Sequence, residues 1–351
     1  MSVAETVERR ETPMSLPARR SVWSFVRSSG LQSVVVGPSK DPNAKITILL
    51  VSPETGEPVL AVKAATTDRA GVAVETERQV LASLHAQVAG AVVQAIPRPV
   101  ETLDYDGRPA VVTTAVRGTA MTLGYVRPRH RRSPARVAAD FAAVGSWLAS
   151  FRQATSADAA PLEMDGGVTE QLRERFGDRD GLDDDLERLA EIVAVLRAET
   201  VAQTAVHGDF WFGNILLTDG SVTGVVDWEA GTTRGEPARD LARFAHMYAL
   251  YLGGSAAPRH RVARHPGIRA GTWGAAVEYA LDGIGWFPEL FRQFLRDGLA
   301  AVHASPDVWR PLTLAAIAEV AAFTDHDNFA RLHLDLFRRC SRPSGLRKEK
   351  R

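Results

Sequence analysis

One ordered stretch constrains this chain more than any other: Val206-His207-Gly208-Asp209-Phe210-Trp211-Phe212-Gly213-Asn214-Ile215-Leu216-Leu217, followed closely by Gly224-Val225-Val226-Asp227-Trp228-Glu229. Between the two apolar runs lies Thr218-Asp219-Gly220-Ser221, a turn signal, so the segments are expected to form a β-hairpin. Such a hairpin holds Asp209, Asn214 and Asp227 near one edge. That set suits phosphoryl transfer. One carboxylate, Asp209, orients an attacking hydroxyl and takes its proton. An amide and a second carboxylate, Asn214 and Asp227, are hard oxygen ligands for the Mg²⁺ that bridges nucleotide phosphates.

The whole chain sets wide bounds. Its 351 residues suffice for two lobes with their own cores, and a hydrophobic share of 45% with 24% charged residues is that of an ordinary globular protein. Lys plus Arg equals Asp plus Glu, 42 each, so nothing global points to nucleic acid or an anionic membrane. Residues 1–20 are polar and Pro/Arg-rich, with no apolar stretch for a secretory signal, and no run approaches a membrane span. Cys340 is the only cysteine, which leaves no disulfide framework and fits a cytoplasmic location.

Along the chain, β-rich runs at Ser33–Val36, Ile46–Val51 and Val59–Lys63 are joined by Gly/Pro/Asn/Ser turn chemistry. Val72–Ala86 has helical spacing, and Val111–Thr114 reads as a further strand. After Gly118 the pattern turns helical: 138–151, 182–196, 240–252 and 311–323. Asp183, Asp184 and Asp185 suit a helix dipole in a first turn.

These residues resemble the catalytic core of the aminoglycoside phosphotransferase and choline kinase-like family of small-molecule kinases. The resemblance is strongest over about residues 200–245, traceable upstream to about residue 31, and poor beyond residue 255. It implies an α+β, two-lobed protein-kinase-like fold. Residues 21–115 would form a small antiparallel N-lobe with one helix, and residues 116–340 a larger, mainly helical C-lobe, flanked by a disordered tail at 1–20 and a basic tail at 341–351.

The same resemblance assigns roles. Asp209 would be the catalytic base, with Asn214 and Asp227 on Mg²⁺. Lys63 would contact the nucleotide phosphates, with Glu77, preferred to Glu75, as its ion-pair partner. Ser39 would meet the β- or γ-phosphate, although Gly37–Lys45 lacks a glycine-rich signature. Thr113, Thr114 and Ala115 would form the hinge, whose backbone bonds the adenine edge. His207 is read as a structural brace, Glu229 as an assistant to metal or substrate, and Asp240 as a cap and brace. The implied donor is ATP, with GTP as the alternative, and the acceptor is a hydroxyl of an aminoglycoside-, amino-alcohol- or sugar-like molecule.

Two rivals make opposite demands. A catalytically silent nucleotide-binding protein of this fold would lack the base, a metal ligand or the lysine, and all are present. A protein kinase would need a peptide-docking segment after Asp227, yet about a dozen residues separate it from the helix at Asp240. Two charge clusters, arginines over 127–136 and carboxylates over 178–187, argue for opposite acceptors, and the sequence places neither at the pocket.

Overall fold

The computed structural model describes residues 19–37, 44–254 and 259–342. Ser39 and most of both tails lie outside the described residues. An antiparallel sheet forms first, from β1 (Gln32–Val36), β2 (Lys45–Val51), β3 (Pro58–Ala65), β4 (Pro99–Tyr105) and β5 (Arg108–Thr114), in the order β1-β2-β3-β5-β4. The register pairs Thr47 with Lys63 and Lys63 with Val111.

Strand periodicity sorts the faces of this sheet. On β3 and β5, Val62, Ala64, Ala110 and Val112 point to one side and pack on Val22 and Phe25 of helix α1 (Val22–Ser28). Ala65 and Val111 point to the other and meet Ala70 and Val74 of α2 (Asp68–Gln87). Lys63, between Val62 and Ala64, therefore faces α2. Thr67 caps that helix, its side chain accepting from Ala70 N–H at 3.1 Å.

The rest is mostly helical: α3 (Pro134–Thr155), α4 (Val168–Phe176), α5 (Leu182–Arg197), α6 (Pro237–Leu250), α7 (Ala275–Asp282), α8 (Trp286–Ala300), α9 (Trp309–Phe323) and α10 (Asp327–Ser341). Their apolar faces share one large core, with Phe141, Phe151, Trp228, Phe244 and Phe287 among its buried rings. The small strand-rich part with α2 and the larger helical part reproduce the expected α+β architecture.

The anticipated hairpin is present between them. β6 (Thr119–Ala120) pairs with β7 (Ile215–Thr218), which pairs with β8 (Ser221–Val225). Asp219 and Gly220 both have positive φ, 51° and 76°, as a two-residue turn matched to the strand twist requires. Helix boundaries differ from the sequence reading by a few residues, and the strand-rich part carries α1 besides α2 where one helix was expected. α6 starts at Pro237 rather than at Asp240, because proline is preorganised for the first helical position.

Candidate active site

Two backbone devices shape the loop before the hairpin. Gly208 sits at φ +81°, and a Cβ there would lie 2.2 Å from the carbonyl oxygen of Ala230, so the segments approach closely only with glycine. The buried carboxylate of Asp240 accepts from the backbone N–H groups of His207 (2.7 Å) and Gly208 (2.9 Å). Asp240 is thus a brace for this loop and not the cap of its own helix, which has no side-chain cap. Burial raises the Asp240 carboxyl above its ordinary pKa, against the pull of His207 and the two amides.

His207, fully buried, ties the two halves together. One ring nitrogen, Nε2, lies 2.8 Å from Val226 O, and the other accepts from Asp209 N–H at 3.2 Å. Those partners require the proton on Nε2, which donates to the carbonyl. Phe210 stacks on Trp147 and Phe212 on Tyr125, both buried, which anchors the loop on the helical core.

Asp209 then projects from a fixed backbone. Its Oδ1 accepts from Arg243 Nη2 at 2.6 Å, and its Oδ2 from Asn214 Nδ2 at 3.3 Å. Asn214 is buried, and Nδ2 also donates to the Asp209 carbonyl at 2.9 Å. With both amide hydrogens turned to Asp209, the neutral Oδ1 of Asn214 is the atom left to meet a cation.

Asp227 follows the hairpin at φ 65°, in the left-handed region that Asp tolerates better than most residues. Its carboxylate meets the ammonium of Lys63. Lys63 also donates to both oxygens of Glu77, at 2.6 and 2.9 Å. Glu77 is 1% exposed, and its Oε1 accepts in addition from Trp228 N–H at 3.3 Å. One glutamate of α2 therefore joins the strand lysine to the segment that carries Asp227. Glu75 pairs instead with Arg78 at 2.6 Å, away from Lys63.

The charges follow this geometry. Burial by itself would depress the Lys63 ammonium; Asp227 and Glu77 outweigh it and hold the pKa above its ordinary value. Asp227 is held low, first by the Lys63 charge, with burial opposing and Lys45 assisting. Lys45, at the start of β2, forms an ion pair with Glu229, so a second lysine-carboxylate pair flanks the first.

Asn214 Oδ1 and the Asp227 carboxylate are hard oxygens, and Mg²⁺ is commonly held by one or two carboxylates plus substrate phosphates and water. The donor set fits that ion. The backbone of Asn214 is tied to the residue before Asp227, Val226 N–H donating to Asn214 O at 3.0 Å.

The hinge expectation is corrected in part. β5 runs through Thr114, whose N–H donates to Arg98 O at 2.9 Å, and Ala115 N–H donates to Val59 O at 2.9 Å. Those two amides are committed to the sheet, so an adenine edge has to find its donor elsewhere. Thr113 is buried within the same ladder. Sequence reasoning missed Arg243, and it singled out Glu229 without pairing it with Lys45. For Arg243 a signal existed, since it stands one helical turn after Asp240 on the same face.

Each charge cluster gives one residue to the interior. Asp185 is buried between Arg188 (3.1 Å) and Arg338 (2.5 Å), so part of the acidic run is neutralised within the helical packing. In the basic run, Arg131 is buried and donates to Tyr251 O at 2.9 Å, and Tyr251 tilts against Trp211 beside the Asp209 loop.

Comparison with known proteins agrees with this geometry. Residues 48–279 match the family model described as the phosphotransferase enzyme family, APH. Among solved structures, a thermostable mutant of aminoglycoside phosphotransferase APH(4)-Ia, in ternary complex with AMP-PNP and hygromycin B, superposes with a TM-score of 0.58 at 10% identity, over 90% of this chain and 96% of that one. ADP-bound aminoglycoside phosphotransferase APH(2'')-Ib gives a TM-score of 0.51 at 14% identity, over 90% and 95%. The streptomycin-ATP-APH(2'')-IIa ternary complex gives 0.51 at 13% identity, over 90% and 94%. At these identities the likeness establishes the fold. No curated protein matches the chain in sequence.

Proposed function

Since this chain belongs to the phosphotransferase enzyme family, we propose that it moves the γ-phosphoryl group of ATP, as its Mg²⁺ complex, to a hydroxyl of a small molecule. The observation that carries the reading is the convergence of Lys63, Glu77 and Asp227 on one ion-paired centre, with Asn214 and Asp209 on the adjoining loop. In this reading Lys63 holds the nucleotide phosphates and Glu77 holds Lys63. Asn214 and Asp227 hold the metal, which when bound neutralises charge on the transferring phosphoryl group. Asp209 orients the acceptor hydroxyl and receives its proton. His207 and Asp240 keep the loop in register, and Arg243 fixes the Asp209 carboxylate. ATP is preferred to GTP because two of the solved neighbours of this fold carry ATP or its analogue.

The lobe boundaries follow from the same reading, with the nucleotide between residues 21–115 and 116–340. The acceptor would enter beside Asp209 from the helical side. A cleft of about 360 Å³ on that side, lined by Arg269, Trp273 and Phe329 among others, adjoins the surroundings of Asp209 through Tyr251. Hygromycin B and streptomycin occupy two of the neighbours. Here the immediate surroundings of Asp209 are Arg243, Tyr251 and Trp211. Arg243 neutralises Asp209, so the base adds no net negative charge to draw a polycation, and a neutral, sugar-like hydroxyl acceptor fits this surface.

A coupled ADP-release screen over aminoglycosides, amino alcohols, sugars and nucleosides tests both levels. Acceptor-dependent ADP release that chelation abolishes supports the kinase reading, and the preferred class identifies the acceptor. Nucleotide binding with no acceptor-dependent release across the screen favours the silent-protein alternative.

A further inference from the structure

The structure holds a second concavity, far in chemistry from the ion-paired centre. It is a cleft of about 310 Å³ between α3 and α8, floored by Leu241 of α6. Its walls are apolar, from Phe141, Leu290 and Phe294, and small residues on α3 leave the space between the helices unfilled. One charged side chain lines it from below. Arg152 is 8% exposed, and among the described residues its only hydrogen bond runs from Nη1 to Gly298 O at 3.3 Å. Among those residues Nε and Nη2 have no hydrogen-bond partner, and both atoms are buried.

That arrangement is chemically specific. Nε–H and Nη2–H lie on one edge of the guanidinium and point the same way, which is the fork that a carboxylate meets with both oxygens. A buried donor pair left unsatisfied is costly, and a buried charge without a partner more so. Burial depresses the Arg152 pKa to about 10, with only a Coulombic pull from Asp240 opposing it. Asp240 in turn gives both oxygens to the amides of His207 and Gly208. The guanidinium is therefore a buried cation with one unsatisfied donor edge, set in the lining of an apolar cleft and balanced only through space by Asp240.

We propose that this cleft binds a compact organic monocarboxylate, its carboxylate on the Nε/Nη2 edge of Arg152 and its apolar body against Phe141, Leu290 and Phe294. Binding turns the guanidinium toward the cleft and gives up a hydrogen bond near the long end of the range. The volume is at the small end for ligand pockets, which limits the body to a branched chain or a single ring. Asp297 stands at the rim with Oδ1 taken by Gln293 Nε2 at 2.6 Å. It disfavours dianions, and it offers a partner to an ammonium group if the ligand is an apolar amino acid. Because Asp240 is the opposite charge that Arg152 feels, an occupied cleft would also alter the field on the brace of the Asp209 loop.

Calorimetric titration of the full chain tests this without reference to any enzymatic activity. The probes are isovalerate and phenylacetate, leucine and phenylalanine, and the neutral isovaleramide. Saturable one-to-one binding of a carboxylate is expected, weakened at least about tenfold in Arg152→Gln, a loss of about 1.4 kcal/mol. Ala149→Leu, on the exposed rim of α3, should block the cleft while leaving Arg152 and the fold in place. If the amine-bearing probes bind more tightly and lose that advantage in Asp297→Asn, the ligand is an amino acid. Equal binding of both acid classes assigns a plain carboxylate, and either result supports the site. No saturable binding at about 10 mM of any probe, a constant unchanged in both cleft variants, or equal binding of isovaleramide overturns it.

Discussion

Arg243 Nη2 lies 2.6 Å from Asp209 Oδ1, while the other oxygen of the same carboxylate accepts from Asn214 at 3.3 Å. Both oxygens of the proposed base are thereby oriented, one from α6 and one from its own loop. Three residues earlier on α6, Asp240 fixes the backbone of that loop. A single helix sets both where the loop runs and how its carboxylate points.

Removing the base and removing its orienter should therefore differ. Asp209→Asn is expected to lower kcat by roughly 10²–10⁴-fold while leaving nucleotide binding intact, the range for a positioned acid or base. Arg243→Ala should cost about tenfold in kcat, about 1.4 kcal/mol of barrier, with KM for ATP unchanged. Steady-state kinetics decide the matter. Wild-type turnover in Asp209→Asn removes it from the mechanism, and a raised KM for ATP in Arg243→Ala would place Arg243 on the nucleotide instead.

The Lys63–Asp227 contact has a defined pH window. The folded Asp227 pKa is lowered, so its contribution is present above the unfolded value near ~4 and is lost only as pH falls through the lower folded one. The folded Lys63 pKa is raised, so its contribution is complete below ~10.4 and is lost above that. Between about pH 5 and pH 9 neither group titrates. Lys63→Ala should then impair kcat at saturating ATP by a factor that is constant across this window. Lys63→Arg should not restore it, because a larger planar fork replaces a point charge that both Glu77 and Asp227 enclose. A deficit that varies with pH in this range would contradict the assigned shifts.

Gly208→Ala should be among the most damaging single-methyl additions in this chain. The added Cβ would fall 2.2 Å from Ala230 O, at a φ of +81° that alanine itself adopts only with strain. Strain of this kind costs about 1–3 kcal/mol before any clash is counted. A lowered melting temperature and lost turnover are expected together. Gly220→Ala, at similar φ but in open space, is the control and should cost only the strain. If the two variants melt alike, the close approach at Ala230 is not what requires glycine.

A buried histidine pair predicts acid lability. His333 Nδ1 lies 2.9 Å from Phe329 O and donates to it, so its Nε2 accepts from His246 Nε2–H at 3.0 Å. His246 Nδ1 is then buried without a hydrogen-bond partner among the described residues. Burial pushes His333 down to about 3 and His246 well below the usual imidazole value, where His333 and Arg243 add to the effect. With folded values below an unfolded value of about 6.5, the unfolded chain holds more protons as pH falls from there. Stability is lost in that direction, by up to about 1.4 kcal/mol per pH unit for each histidine. Urea unfolding from about pH 7 to pH 4 should show a shallower decline in the double variant His246→Phe, His333→Leu, which leaves no orphaned ring nitrogen. Equal slopes would show that neither imidazole resists protonation.

Much of the site was legible because it is local. His207, Asp209 and Asn214 lie on one loop, Asp227 lies just past a hairpin whose Asp-Gly turn announces itself, and Lys63 closes an alternating run. Pairings across the fold were not legible. Arg243 reaches Asp209 over 34 residues and Glu77 reaches Trp228 N–H over 151. Lys45 finds Glu229 only because β2 lies beside β3. The engagement of the hinge amides was hidden for the same reason: whether Thr114 and Ala115 offer free N–H groups depends on Arg98 and Val59, which only the sheet register brings alongside.

The nucleotide itself gives the last test, one that needs no knowledge of the acceptor. Lys63 and Glu77 belong to the sheet and α2, Asn214 and Asp227 to the hairpin on the helical side, and their ion pairs already join the two. Mg²⁺-ATP at this centre has to contact both. A ligand that binds only the folded chain stabilises it by mass action, about 2.7 kcal/mol at a hundredfold excess over Kd. The melting temperature should therefore rise with AMP-PNP and Mg²⁺, and less with either alone. Hydrogen exchange should slow together in β3, α2 and the 207–228 segment. In Asp227→Ala the nucleotide should lose its dependence on Mg²⁺, since the charged half of the ligand pair is gone. Protection confined to the sheet, or a melting shift indifferent to Mg²⁺ in the wild-type chain, would count against a metal held by Asn214 and Asp227.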